Sequence, residues 1–167
     1  MAVDASTNEI LAFVITTERC GDITCTDMLM ELVEKGGHKV RKIYADAAYD
    51  SRANWRKYTE KGIKVCININ SPQLNRYDGP RYEGKSNGCI VRGLQIKRIK
   101  KVGRDQWKKE NEYGIRWKVE CTFSDLKRIL GDILRSRTIW TNVLETFWKV
   151  KMHNIYKTIR NSLAGGW

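Results

Sequence analysis

At 167 residues, with 41% hydrophobic and 30% charged, the chain is long enough to bury one core and too apolar to be disordered. Its longest apolar runs, such as Ile10–Ile15, are too short to span a bilayer, and Met1-Ala2 lacks the regions of a signal peptide, so the cytoplasm is the expected compartment. The net charge of +12 is one-sided: residues 1–66 hold 10 Lys/Arg and 10 Asp/Glu, whereas residues 67–167 hold 21 and 9.

In chain order, Val3-Asp4 and Ile10–Thr17 read as two short strands joined by a tight turn at Ser6-Thr7-Asn8. Thr24 or Thr26 caps a helix through Met28, Leu29, Leu32 and Val33, which Gly36-Gly37 ends. Lys39–Ala45 is a strand, Ser51 caps a second helix running to about Gly62, and Ile63–Ile67 is a further strand. Strand, helix, strand, helix, strand is the rhythm of an α/β layer with parallel pairing. Residues 68–112 break that rhythm. They hold both prolines, Pro72 and Pro80, and read either as a long functional loop or as a small β insertion through Ile90, Val91, Leu94, Ile96 and Ile99. Helices resume from about Glu110 to Leu134 and from Trp140 to about Leu163.

The charge excess gathers in the interruption. Residues 92–109 carry eight basic residues, Lys97, Arg98, Lys100 and Lys101 among them, against one acid, Asp105. Such a field suits a polyanion, because lysine and arginine contacts to phosphates displace condensed counterions. A solvated loop that only keeps the protein soluble would look the same. Five cysteines, an odd number without an export signal, read as reduced thiols, and no second Cys or His pair has structural-zinc spacing.

Two features carry candidate chemistry. Asp46 directly follows a strand, where ligand sites of open α/β sheets gather, with small Ala47 and Ala48 beside it. Taken alone, it reads first as an aspartate ending a strand in an ordinary turn. On a helical wheel Tyr113, Arg116, Glu120 and Lys127 cluster beside an apolar stripe of Val119, Phe123, Leu126, Leu130 and Ile133, bordering the core. Lys118, Ser124 and Asp125 fall on the opposite, solvated face. Arg116 and Glu120, an (i, i+4) pair, also suit a surface ion pair worth a few tenths of a kcal/mol at most.

The spacing Tyr113, Arg116, Glu120, Lys127 resembles the signature of insertion-sequence DDE transposases, and Asp46-x-Ala48-Tyr49 resembles the motif around their second catalytic aspartate. Cys20-Gly21-Asp22, Gly131-Asp132 and His153-Asn154 also stand where such proteins have related residues, so the resemblance covers nearly the whole chain. It implies an α/β, RNase H-like catalytic core, a mixed sheet flanked by helices, forming a single domain over 1–167 with a basic insertion or loop at about 68–112. It further implies metal-dependent cleavage and transfer of DNA strands at transposon ends. Asp46 and Glu120 would be catalytic ligands of Mg²⁺ or Mn²⁺, hard cations that prefer oxygen donors. Arg116 and Lys127 would hold phosphates, and Tyr113 would stack on or position the DNA. The partner implied is double-stranded DNA, with a homodimer allowed for and neither a membrane nor a nucleotide cofactor.

The chain is expected to depart from that family in two respects, one of them the lack of the usual N-terminal DNA-end-recognition domain. An RNase H-like core opens with three strands, the first bearing a catalytic aspartate, and only two strands precede the helix at 24–35. The first strand and its acid are therefore expected to lie before residue 1, leaving cleavage slow or absent, unless Asp4 is that acid. The rival readings are a non-catalytic basic DNA-binding remnant and an RNase H-like DNA nuclease.

Overall fold

The computed structural model describes residues 1–16, 22–69 and 87–164. It is a mixed α/β structure of two compact units, Met1–His38 with Trp117–Trp167 and Lys39–Arg116.

In the first unit, strands β1 (Ala2–Val3) and β2 (Ile10–Ala12) pair antiparallel, with Ala2 opposite Ala12 and Val3 opposite Ile10. The first strand ends one residue earlier than expected because Asp4 closes the turn. Its Oδ1 accepts the N–H groups of Ser6 and Thr7 and the Ser6 hydroxyl, the last of these first among the causes that lower its pKa. Asn8 takes φ 60° in the same turn. The second strand is shorter than the expected Ile10–Thr17, and Thr17 lies outside the described residues.

Helix α1 (Thr26–Lys35) follows a single 3-10 turn, so the N-cap position falls on Cys25, which makes no side-chain cap bond, and not on either threonine. Its end is as the sequence predicts. Gly37 takes φ 80°, its N–H donates to Glu34 O and the His38 N–H donates to Val33 O, the paired bonds of a Schellman motif. Leu29 and Val33 are the buried face of α1.

In the second unit, β3 (Lys42–Ala45) and β4 (Lys64–Ile67) pair in parallel, from Lys42 opposite Lys64 to Ala45 opposite Ile67. Helix α2 (Arg52–Glu60) connects them, as a parallel pair requires. Ser51 caps α2 by accepting the Asn54 N–H at 3.1 Å, and Gly62 (φ 73°) closes it with a second Schellman pair. Trp55 and Tyr58 of α2 are buried, together with Val65, Cys66 and Ile67 of β4. Burial pushes the Cys66 thiol up to about 11.

The described part of the basic segment is helical, contrary to the expected loop or β insertion. It forms α3 (Asn87–Val102) and α4 (Arg104–Glu110), with the bend at Gly103 (φ 84°). Ile90 and Leu94 are exposed, whereas Arg92, Ile96 and Ile99 are buried. Those three share one face at i, i+4 and i+7, a spacing that β-branched composition had masked. Trp107 of α4 is fully buried and its indole N–H donates to Gln95 of α3 at 2.7 Å.

The helix expected over Glu110–Leu134 is interrupted. Asn111 ends α4, Glu112 takes φ 56°, and Tyr113–Arg116 is a 3-10 turn. Helix α5 (Trp117–Leu130) then belongs to the first unit, as does the long α6 (Ile139–Ala164). Ile10, Leu126 and Val150 form a buried cluster there, with Met1, Val3, Phe13 and Leu130 packed around it. Asn154 of α6 pairs with the backbone of β2, accepting the Ile10 N–H at 2.9 Å and donating to Ile10 O at 2.8 Å.

The segment between α5 and α6 is held by Glu145, which accepts the N–H groups of Arg135 and Ser136 and the Ser136 hydroxyl. These bonds, the hydroxyl first, hold its carboxyl down at about 2 against the usual 4.5. A depressed carboxyl contributes order above its unfolded value and loses it as pH falls toward the folded one. The amide signals of Arg135 and Ser136 are therefore expected to titrate with a midpoint at about 2, and Glu145→Gln to abolish that titration. A midpoint near the usual 4.5 would contradict the assignment.

Candidate functional site

Asp46 stands at the C-terminal end of β3, in the place predicted from the sequence. The strand ends at Ala45, and Asp46 starts a 3-10 turn, Ala47–Tyr49, its Oδ1 accepting the Ala47 N–H. The carboxylate is exposed. The turn closes through Tyr49 N–H to Asp46 O at 3.0 Å and Asp50 N–H to Ala47 O at 3.1 Å.

Behind the turn lies a buried ion pair that sequence reasoning missed. The side chain of Asp50 is fully buried and that of Arg92 is 8% exposed. Arg92 donates twice, Nε to Oδ1 at 2.9 Å and Nη2 to Oδ2 at 2.7 Å, and the Trp55 indole N–H donates to Oδ1 at 3.0 Å. The only sequence signal was an arginine at helical spacing with two isoleucines.

Tyr113 and Arg116 are in the same unit. Tyr113 is buried, and its hydroxyl donates to Ala45 O at 3.2 Å, on the residue preceding Asp46. Its ring lies against Trp107, centroids 5.9 Å apart, with the Arg116 guanidinium 5.9 Å from its centroid. These contacts tie the 3-10 turn at Tyr113 to the end of the strand that precedes Asp46.

Glu120 and Lys127 lie on α5 in the other unit, and both are exposed. The expected stripe is displaced: Leu126 is buried, but Phe123 and Ile133 are exposed at 47% and 71%, and Thr122 is buried instead. Ile133 lies past the helix end at Leu130, and some of the partners of α5 are polar. Asp125, expected to be solvated, accepts Lys157 Nζ of α6 at 2.7 Å, and Lys118 donates to Ala5 O. Lys127 Nζ sits 4.5 Å from the centroid of the Phe123 ring. Nearby, His153 is fully buried, and burial holds its imidazole below the usual histidine range.

Of the basic residues on α3, Lys97, Lys100 and Lys101 are exposed. Arg98 is also exposed but engaged, donating to both carboxylate oxygens of Glu110 at 2.9 and 2.6 Å.

Asp46 and Glu120, the candidate metal donors, each present an exposed carboxylate, the hard oxygen donor that a divalent cation such as Mg²⁺ would need. Among the described residues no group of three or more His, Cys, Asp or Glu is gathered to hold a metal. No helix among them is long and apolar enough to cross a membrane.

The chain matches no curated protein and no solved structure. A family model described as the transposase DDE domain matches residues 1–155. DDE transposases act on DNA and generally use divalent metal ions. With that match covering nearly the whole length, and the aspartate motif at the end of β3, the chain belongs to the DDE transposase domain family.

Proposed function

We propose that the chain is a metal-dependent DNA strand transferase that cleaves and joins DNA at transposon ends, on an RNase H-like core to which residues 1–167 all contribute. The observation that carries this reading is the exposed Asp46 carboxylate at the end of a parallel strand in a chain matched by the DDE domain. Asp46 and Glu120 are the proposed metal ligands. Bound Mg²⁺ or Mn²⁺ supplies Lewis-acid stabilisation at the phosphate being exchanged. Arg116 and Lys127 neutralise phosphate charge beside it, and Lys97, Lys100 and Lys101 engage the flanking duplex. Tyr113 positions the strand end bearing Asp46.

The experiment is a labelled-oligonucleotide assay in Mg²⁺ or Mn²⁺, run with the wild-type chain, Asp46→Ala and Glu120→Ala. Slow joining by the wild-type chain, in keeping with the slow cleavage expected from the sequence, that disappears in both variants is the expected result. Hydrolysis without joining would instead mark an RNase H-like nuclease. The exposed Lys97, Lys100 and Lys101 on α3 favour a second reading, a DNA-binding module without chemistry. Tight duplex binding with no metal-dependent product in any sample would select it.

A further inference from the structure

The turn carrying Asp46 is fastened on both sides of that residue. Before it, the Tyr113 hydroxyl holds Ala45 O, and after it Asn54 Nδ2 donates to Tyr49 O at 3.0 Å. At the far end Asp50 is fixed by two parallel bonds from Arg92 and one from Trp55. An aspartate arm is short, so the backbone decides where its carboxylate lies. Fork-to-fork pairing fixes orientation as well as distance, which a single ammonium contact does not. A buried ion pair is also a poor choice for stability alone, since an apolar pair of similar volume often serves as well or better.

We infer that Arg92, through Asp50, is a positioning residue that sets the metal-binding geometry of Asp46, and that part of the basic segment thereby serves the catalytic turn. This rests on the reading of Asp46 as a metal ligand. A supporting group of this kind typically changes metal affinity by about 10–100-fold when removed.

The test is Mn²⁺ binding, followed by electron paramagnetic resonance and titrated into the millimolar range, on the whole chain and four variants, each with its melting temperature. Asp46→Ala tests the underlying reading. Arg92→Met and Arg92→Lys test the clamp. Ile96→Ala, buried on the same helix face, controls for reduced stability. The expected pattern is loss of binding in Asp46→Ala, affinity about tenfold weaker in Arg92→Met, and wild-type affinity in Ile96→Ala despite a lower melting temperature. Arg92→Lys keeps the charge and not the fork, so it folds and still binds more weakly. If Arg92→Met does not fold, Arg92→Lys decides alone. Wild-type affinity in the folded Arg92 variants, with Asp46→Ala defective, overturns the clamp and leaves the reading standing. Equal weakening in Ile96→Ala overturns it too, as mere destabilisation. Mn²⁺ binding unaffected by Asp46→Ala, or absent from the wild-type chain, overturns both.

Discussion

Asp50→Ala is expected to destabilise the chain by about 3–5 kcal/mol, the range for breaking a buried ion pair by removing one member. The two side chains are 0% and 8% exposed, so solvent does little to screen the loss. Arg92 would lose both of its bonds to Asp50, and Trp55, itself fully buried, would lose the acceptor of its indole N–H. Denaturant unfolding followed by tryptophan fluorescence measures this directly. Replacing both members with leucine removes the remaining charge and is expected to recover most of the loss. A cost for Asp50→Ala below about 1 kcal/mol, the range of an exposed pair, would show that the pair is not buried as described.

Replacing Lys97, Lys100 and Lys101 together with alanine is expected to weaken duplex binding and to flatten its dependence on salt. Each phosphate that is no longer neutralised lowers the slope of log affinity against log salt by about 0.9, so three of them lower it by about 2.7. Affinity at low salt falls with it, whatever the DNA sequence. Arg98 is expected to behave differently because Glu110 occupies its guanidinium. Adding Arg98→Ala to the triple variant changes the slope little, and Glu110→Gln, which releases that arginine, raises affinity. Fluorescence anisotropy over a salt series reads all of these. An unchanged slope in the triple variant would remove α3 from the DNA surface.

The features legible in the sequence were those set by neighbours along the chain. Ser51 before α2, Gly62 after it and Gly36-Gly37 after α1 each mark a boundary through backbone chemistry that acts within a few residues. The β3–α2–β4 unit and the place of Asp46 followed from them. The features it concealed depend on distant partners. Asp50 and Arg92 are 42 positions apart, and nothing local identifies an arginine whose guanidinium is satisfied in the core. The side of α5 that is buried was misjudged for a related reason. Hydropathy assigns Thr122 and Asp125 to solvent, whereas Thr122 is buried and the Lys157 amine meets Asp125. In α3, β-branched residues argued for strands, and the helix became visible only from the positions it buries. The split of Tyr113 and Arg116 from Glu120 and Lys127 falls where the 3-10 turn Tyr113–Arg116 gives way to α5 at Trp117, which no periodicity reveals.

If Asp46 and Glu120 both ligate catalytic divalent ions, iron-directed cleavage of the polypeptide reveals it without requiring turnover. Fe²⁺ replaces Mg²⁺ in the protein, and ascorbate with peroxide generates hydroxyl radicals that cut the backbone beside the bound ion. Fragments ending near residues 46 and 120 are expected in the same sample, both suppressed by excess Mg²⁺ and both missing from Asp46→Ala. Cutting absent from either position, or cutting indifferent to Mg²⁺, would contradict the assignment of both residues as ligands.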